Sequence, residues 1–164
     1  MKKLLRALAT VFLLFGSSAI AQIKKQKFSV IQAASDKGEL LSVGSIDVSY
    51  KNFKDKANYP WGLTISIALD EKNLFATKLP NKEESKIATK LEDSLTTKLK
   101  KMATLQYVGH IYYDGFLDVY IYLKDPKAVN NYLSKTIKSQ NFIREFRYVI
   151  EQDPNWSKVS KYMN

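Results

Sequence analysis

His110 is the only histidine in the 164-residue chain, and there is no cysteine. A structural or catalytic zinc site needs several imidazole or thiolate donors, so that chemistry lacks its ligands. The sequence accordingly implies no metal and no cofactor. A serine hydrolase could use His110 as its base, but no G-x-S-x-G elbow accompanies it. What remains of the enzymatic option is a hydrolase-type site pairing His110 with Asp118 or Asp114. Glu92 and Asp93 are adjacent, diverge around a helix, and do not make an acid/base pair. Glu92 is read as structural, pairing with Lys or Arg or satisfying a loop amide. Asp70, Glu71 and Asn73 lack the D-x-[DN]-x-[DN]-G spacing of a calcium loop, and no Gly-rich phosphate loop exists.

A second set of residues suits binding rather than catalysis. His110, Tyr112, Asp118, Tyr120, Tyr122 and Arg147 are expected to share one face of a β-sheet. Tyrosines on such a face cover the sheet while their hydroxyls stay wet. Tyr120, Tyr122 and Arg147 could form a base-stacking platform. The aromatic signature of RNA-binding sheets is absent, which argues against nucleic acid as the partner.

The elements that must position these residues are legible from periodicity. Residues 107–124 form two runs joined at Asp114-Gly115, a dipeptide suited to a type I′ hairpin turn. Leu117, Val119, Ile121 and Leu123 alternate with Phe116, Asp118, Tyr120 and Tyr122, the period of a half-buried strand. In the incoming run Leu105, Tyr107, Gly109 and Ile111 share one parity, and Val108, His110 and Tyr112 the other. Residues 28–34 and 40–50 read as an N-terminal hairpin, and 61–70 and 142–151 as further strands. Residues 81–102 read as a helix with Asn81 as N-cap and Glu84 placed for a capping box. Its apolar stripe is Ile87, Ala88, Leu91, Leu95, Leu99 and Met102. Asp125-Pro126 opens a second helix reaching about residue 139, with Val129, Leu133 and Ile137 inward. Residues 154–164 are a short docking segment carrying Trp156, Val159 and Tyr162.

From residue 59 to 153 the order is strand, helix, strand, strand, helix, strand. That is the split βαβ pattern of an α+β, ferredoxin-like fold. It predicts an antiparallel sheet with both helices on one face, preceded by the N-terminal β-hairpin at 28–50.

The first 21 residues read as a signal peptide: Lys2, Lys3 and Arg6, then a short apolar core, then Ala19-Ile20-Ala21. Cleavage after Ala21 predicts a periplasmic or secreted chain of residues 22–164, a single domain. The apolar run is too short to span a bilayer. The formal charge is +10; without the three leader bases, 23 Lys and Arg face 16 acids, or +7. A basic exported protein could meet an anionic envelope polymer, although these lysines are scattered among acids.

Several short signatures stand in order: Tyr59-Pro60, Leu91-Glu92-Asp93, Val108-Gly109, Asp114-Gly115, Tyr120 and Tyr122, and Asp153-Pro154-Asn155-Trp156. In this order they resemble a bacterial domain-of-unknown-function family, number 695. Its members look related in fold to the ribonuclease E activity regulator B family, which acts by binding an enzyme. The resemblance implies a ferredoxin-like fold and a binding style of action, and carries over no catalytic residue. The sequence thus points to a non-enzymatic binding or regulatory domain whose sheet face meets a protein partner or a second copy.

Overall fold

The computed structural model describes residues 26–139 and 142–163, so the expected leader at 1–21 lies outside the described residues. Alternating runs become six strands: β1 (Phe28–Ala34), β2 (Leu40–Asp47), β3 (Trp61–Ala68), β4 (Leu105–Tyr113), β5 (Phe116–Leu123) and β6 (Phe146–Gln152). They form one sheet in the order β1-β2-β4-β5-β3-β6, and every neighbouring pair is antiparallel. Among the described residues three α-helices accompany them: α1 (Lys82–Met102), α2 (Lys127–Lys138) and α3 (Ser157–Ser160). The protein is therefore α+β.

Local chemistry explains the boundaries. Asp114 and Gly115 take φ 48° and 79°, the left-handed pair that the β4–β5 turn requires. The Asn81 side chain accepts from the N–H groups of Glu83 and Glu84, capping α1. Glu84 does not close the capping box. Its carboxylate turns inward, accepting from Arg144 at 2.6 and 2.7 Å and from the Asp70 N–H at 3.1 Å. β2 stops at Asp47, whose side chain accepts from the Ser49 N–H and caps a single 3-10 turn. β6 starts at Phe146 rather than 142, because Arg144 turns away to Glu84 while Phe142 packs edge-on against Phe146.

Two cores lie on the two faces. Leu63, Ile65 and Ile67 of β3 and Leu117, Val119, Ile121 and Leu123 of β5 pack with Ala88, Leu95 and Leu99 of α1 and Val129 and Leu133 of α2. Both long helices thus cover the same face. Burying such side chains contributes roughly 1.5–3 kcal/mol each before entropy is subtracted. On the other face Ile46, Val108, Ile111 and Tyr122 pack with Tyr50, Trp156, Val159 and Met163. The C-terminal segment closes that side. Trp156 stacks on Tyr122 with ring centroids 4.0 Å apart and planes 8° from parallel, and its indole N–H donates to the carbonyls of Lys56 and Tyr59. Asp153 anchors the turn by accepting from Tyr122 Oη, from the Ser157 N–H and Oγ, and from the Lys158 N–H.

The decisive irregularity lies in β4. Tyr107 pairs with Ile121 and Gly109 with Tyr120, so Val108 is an extra residue, a β-bulge. Gly109 has φ +144°, and a Cβ there would lie 2.1 Å from the Ser45 carbonyl oxygen. The bulge reverses the parity of everything after it. His110 and Tyr112 therefore pair with Val119 and Leu117, on the helix-covered face.

Candidate functional site

Because of the bulge, Tyr107, His110 and Tyr112 all point toward α1. Tyr107 lies before the extra residue and keeps its parity; His110 and Tyr112 lie after it. Above them α1 supplies Glu92, Ser85 and Thr89. The Tyr107 hydroxyl donates to Glu92 Oε1 at 2.6 Å and sits 3.2 Å from His110 Nδ1. His110 Nδ1 lies 3.1 Å from Glu92 Oε1 and 3.0 Å from Oε2, although Oε2 makes no hydrogen bond of its own. Glu92 is buried. An ionised carboxylate only accepts, so toward it the imidazole donates its Nδ1–H; in a neutral ring Nε2 is then the acceptor. Burial, then the charge of Glu92 and the hydrogen bond to it, push the Tyr107 phenol far up, so it stays a donor. Tyr112 Oη bonds with Ser85 Oγ at 3.3 Å and with Thr89 Oγ1 at 3.2 Å.

His110 borders a groove of about 510 Å³. Its floor is the helix-side face of β1 and β2, with Val30, Val43 and Ser45. Ser85 and Tyr112 line it toward α1, and Phe75, Leu79 and Pro80 come from the loop that precedes α1. The groove exists because the helices do not reach this far across the sheet. Val30 is 68% exposed and Phe28, two residues back on the same strand, 48%. Phe75 is 60% exposed. Lys82, Lys86 and Lys90 recur every fourth residue along α1 and are exposed. With Ser85, Thr89 and Asp93 they line a shallow depression, and Ser85 is common to it and the groove.

The six residues expected on one binding face are divided by the structure. His110 and Tyr112 lie beneath α1. On the opposite face Tyr122 is 1% exposed beneath Trp156, and Tyr120 packs against Tyr162, so neither presents an open aromatic platform. Asp118 accepts from Ser66 Oγ at 2.6 Å, and Arg147 lies over the Phe116 ring. These two stay together at the uncovered end of that face. The pairing of His110 with Asp118 does not form, because the sheet separates them; Asp114 sits in the turn. The carboxylate that reaches His110 is Glu92, and its partners are Tyr107 and His110 rather than Lys, Arg or a loop amide. Sequence reasoning missed it because alternation without the bulge put His110 on the opposite face. The one available signal was Gly109 inside a strand, a common mark of a bulge.

A neutral histidine whose Nδ1–H is held by a carboxylate keeps Nε2 as a proton acceptor or an anchoring group. Ser45 lies opposite His110 in the β2–β4 ladder, but no hydrogen bond joins its hydroxyl to the imidazole. Among the described residues no cluster of three or more His, Cys, Asp or Glu could hold a metal ion, and no helix is long and apolar enough to cross a membrane.

These features define an α+β domain with one six-stranded antiparallel sheet, a face shared by two helices, and an apolar groove where the helical layer ends. The chain belongs to the family of unknown function DUF695, whose model matches residues 32–163. No curated protein matches it, and no solved structure does.

Proposed function

We propose that this is an exported, non-enzymatic domain that binds a protein partner in the groove between β1–β2 and α1. The observation that carries the reading is the bare helix-side face of β1 and the half-covered face of β2 beside it. Val30, Phe28 and Phe75 expose apolar surface there beside a half-covered floor. Contiguous exposed apolar surface rimmed by polar groups is characteristic of interaction sites. β1 is also an edge strand with no charged residue and no proline to discourage contact. The strand order β6-β3-β5-β4, with a helix after β3 and after β5, supports reading the core as ferredoxin-like, the N-terminal hairpin extending its sheet. Binding of a regulatory kind fits that reading. Export rests on the basic, apolar and A-x-A segments at residues 1–21.

The test is photo-crosslinking in cells from a reactive residue at position 30, with position 149 of β6 as the exposed control. Crosslinks to a defined protein are expected from 30 and not from 149, and Phe75→Asp is expected to abolish them. Equal labelling from both positions, or labelling indifferent to Phe75→Asp, would refute the groove. N-terminal sequencing of the same material is expected to begin at Gln22; an intact Met1 would refute export by cleavage.

A further inference from the structure

We infer that the groove takes an amphipathic α-helix of the partner, with an apolar stripe on the sheet and acidic residues along the flank that faces α1. The inference rests on the protein-binding reading above and specifies the occupant. An apolar sheet face is stable only under another layer, and here the covering layer is helical. α1 and α2 supply it over β3, β4, β5 and β6, leave the helix-side face of β1 bare and leave that of β2 half-covered, with Leu40 and Val43 only partly buried. A further helix alongside α1 would continue that layer over Val30, Val43 and Phe75.

Charge selects the kind of helix. Lys82, Lys86 and Lys90 make a cationic ridge along α1 beside the groove, and Asp93 is the acid at its far end. None of the three lysines forms an ion pair with a carboxylate among the described residues. A basic helix would be repelled along this flank, whereas Glu or Asp at helical spacing would meet each lysine in turn. At its other end the groove is lined by the His110 imidazole that Glu92 holds, a polar group for a hydroxyl or amide of the incoming helix.

The experiment titrates the purified protein with three labelled synthetic peptides of about 18 residues, long enough to span several helical turns. Two share one composition of Leu, Ala, Glu and Gln: in one the leucines recur at helical spacing, in the other they alternate. The third is the helical pattern with Lys in place of Glu. The acidic helical peptide is expected to bind and to gain helicity on binding. Its affinity is expected to fall about tenfold or more, a loss of about 1.4 kcal/mol, in the triple variant Lys82→Glu, Lys86→Glu, Lys90→Glu, and likewise in Val30→Asp. Val30 is exposed, so that variant leaves the core intact. Equal binding of the alternating peptide would overturn the helix in favour of a strand added at β1. Binding that needs the lysines but ignores Val30→Asp would belong to an anionic polymer site and would equally overturn it. No binding of the acidic helical peptide would do the same. In each case crosslinking from position 30 reports separately whether the groove itself is an interface.

Discussion

Replacing Gly109 with alanine tests the feature that builds the site. Two costs meet at this residue. Its φ of +144° lies where a side chain is strained, and an added Cβ would come 2.1 Å from the Ser45 carbonyl oxygen and 2.9 Å from the Ile46 Cα. Both obstacles are backbone of the neighbouring strand, so neither can swing aside. Two other glycines separate the costs. Gly38 has φ +79° with nothing within 4 Å of the added atom, so it carries conformational strain alone. Gly44 has no positive φ, but its Cβ would lie 2.3 Å from the His110 carbonyl oxygen, so it carries the clash alone. Left-handed strain costs about 1–2 kcal/mol per residue, and overpacking against fixed structure about 1–3 kcal/mol. Gly38→Ala is therefore expected to lose about 1 kcal/mol and Gly44→Ala up to about 3 kcal/mol. Gly109→Ala should approach the two costs together, about 2–5 kcal/mol. Urea denaturation gives all three values, and the imidazole NMR signals of His110 report whether it keeps its contact with Glu92. If Gly109→Ala were no worse than Gly38→Ala, or if His110 kept its signals in a strongly destabilised Gly109→Ala, the bulge would not be what holds the site.

Two further substitutions probe the packing that frames the groove. Arg144→Ala strips the buried Glu84 carboxylate of its cation and is expected to cost about 3–5 kcal/mol at neutral pH. The Arg144 hydrogen bond outweighs burial and holds Glu84 below its ordinary range. Stability from a lowered carboxylate is present above the unfolded value, about 4.3, and is lost as pH falls through the lower folded value. The deficit of Arg144→Ala should accordingly shrink as denaturation is repeated at progressively more acidic pH, and a deficit that grew toward acid would reject the account. Trp156→Ala removes the stacked cover of Tyr122 and is expected to cost about 3–5 kcal/mol in the same assay; a loss under about 1 kcal/mol would mean that the C-terminal segment does not close that face.

Much of the framework was readable without coordinates, because it depends on local chemistry. Asp114-Gly115 specifies its turn through the φ values those residues tolerate. Asn81 caps α1 through its own side chain. The alternation in β3 and β5 decides which of their residues meet the helices, and Trp156 and Val159 were recognisable as docking side chains. The site was different in kind. A single inserted residue, Val108, reversed the facing of His110 and Tyr112, and periodicity alone cannot locate an insertion that leaves every residue plausible on either face. Glu84 satisfied the spacing of a capping box and was drawn instead to Arg144, sixty residues away, because a buried carboxylate gains more from a cation than from one more backbone N–H. The tyrosine face of β5 looked open because nothing local says what a terminal segment will cover. The amino-acid order by itself determined which stretches become helix, strand or turn; where β6 begins, where the helical layer ends over the sheet, and so where apolar surface stays bare, was decided by contacts between residues far apart in the chain.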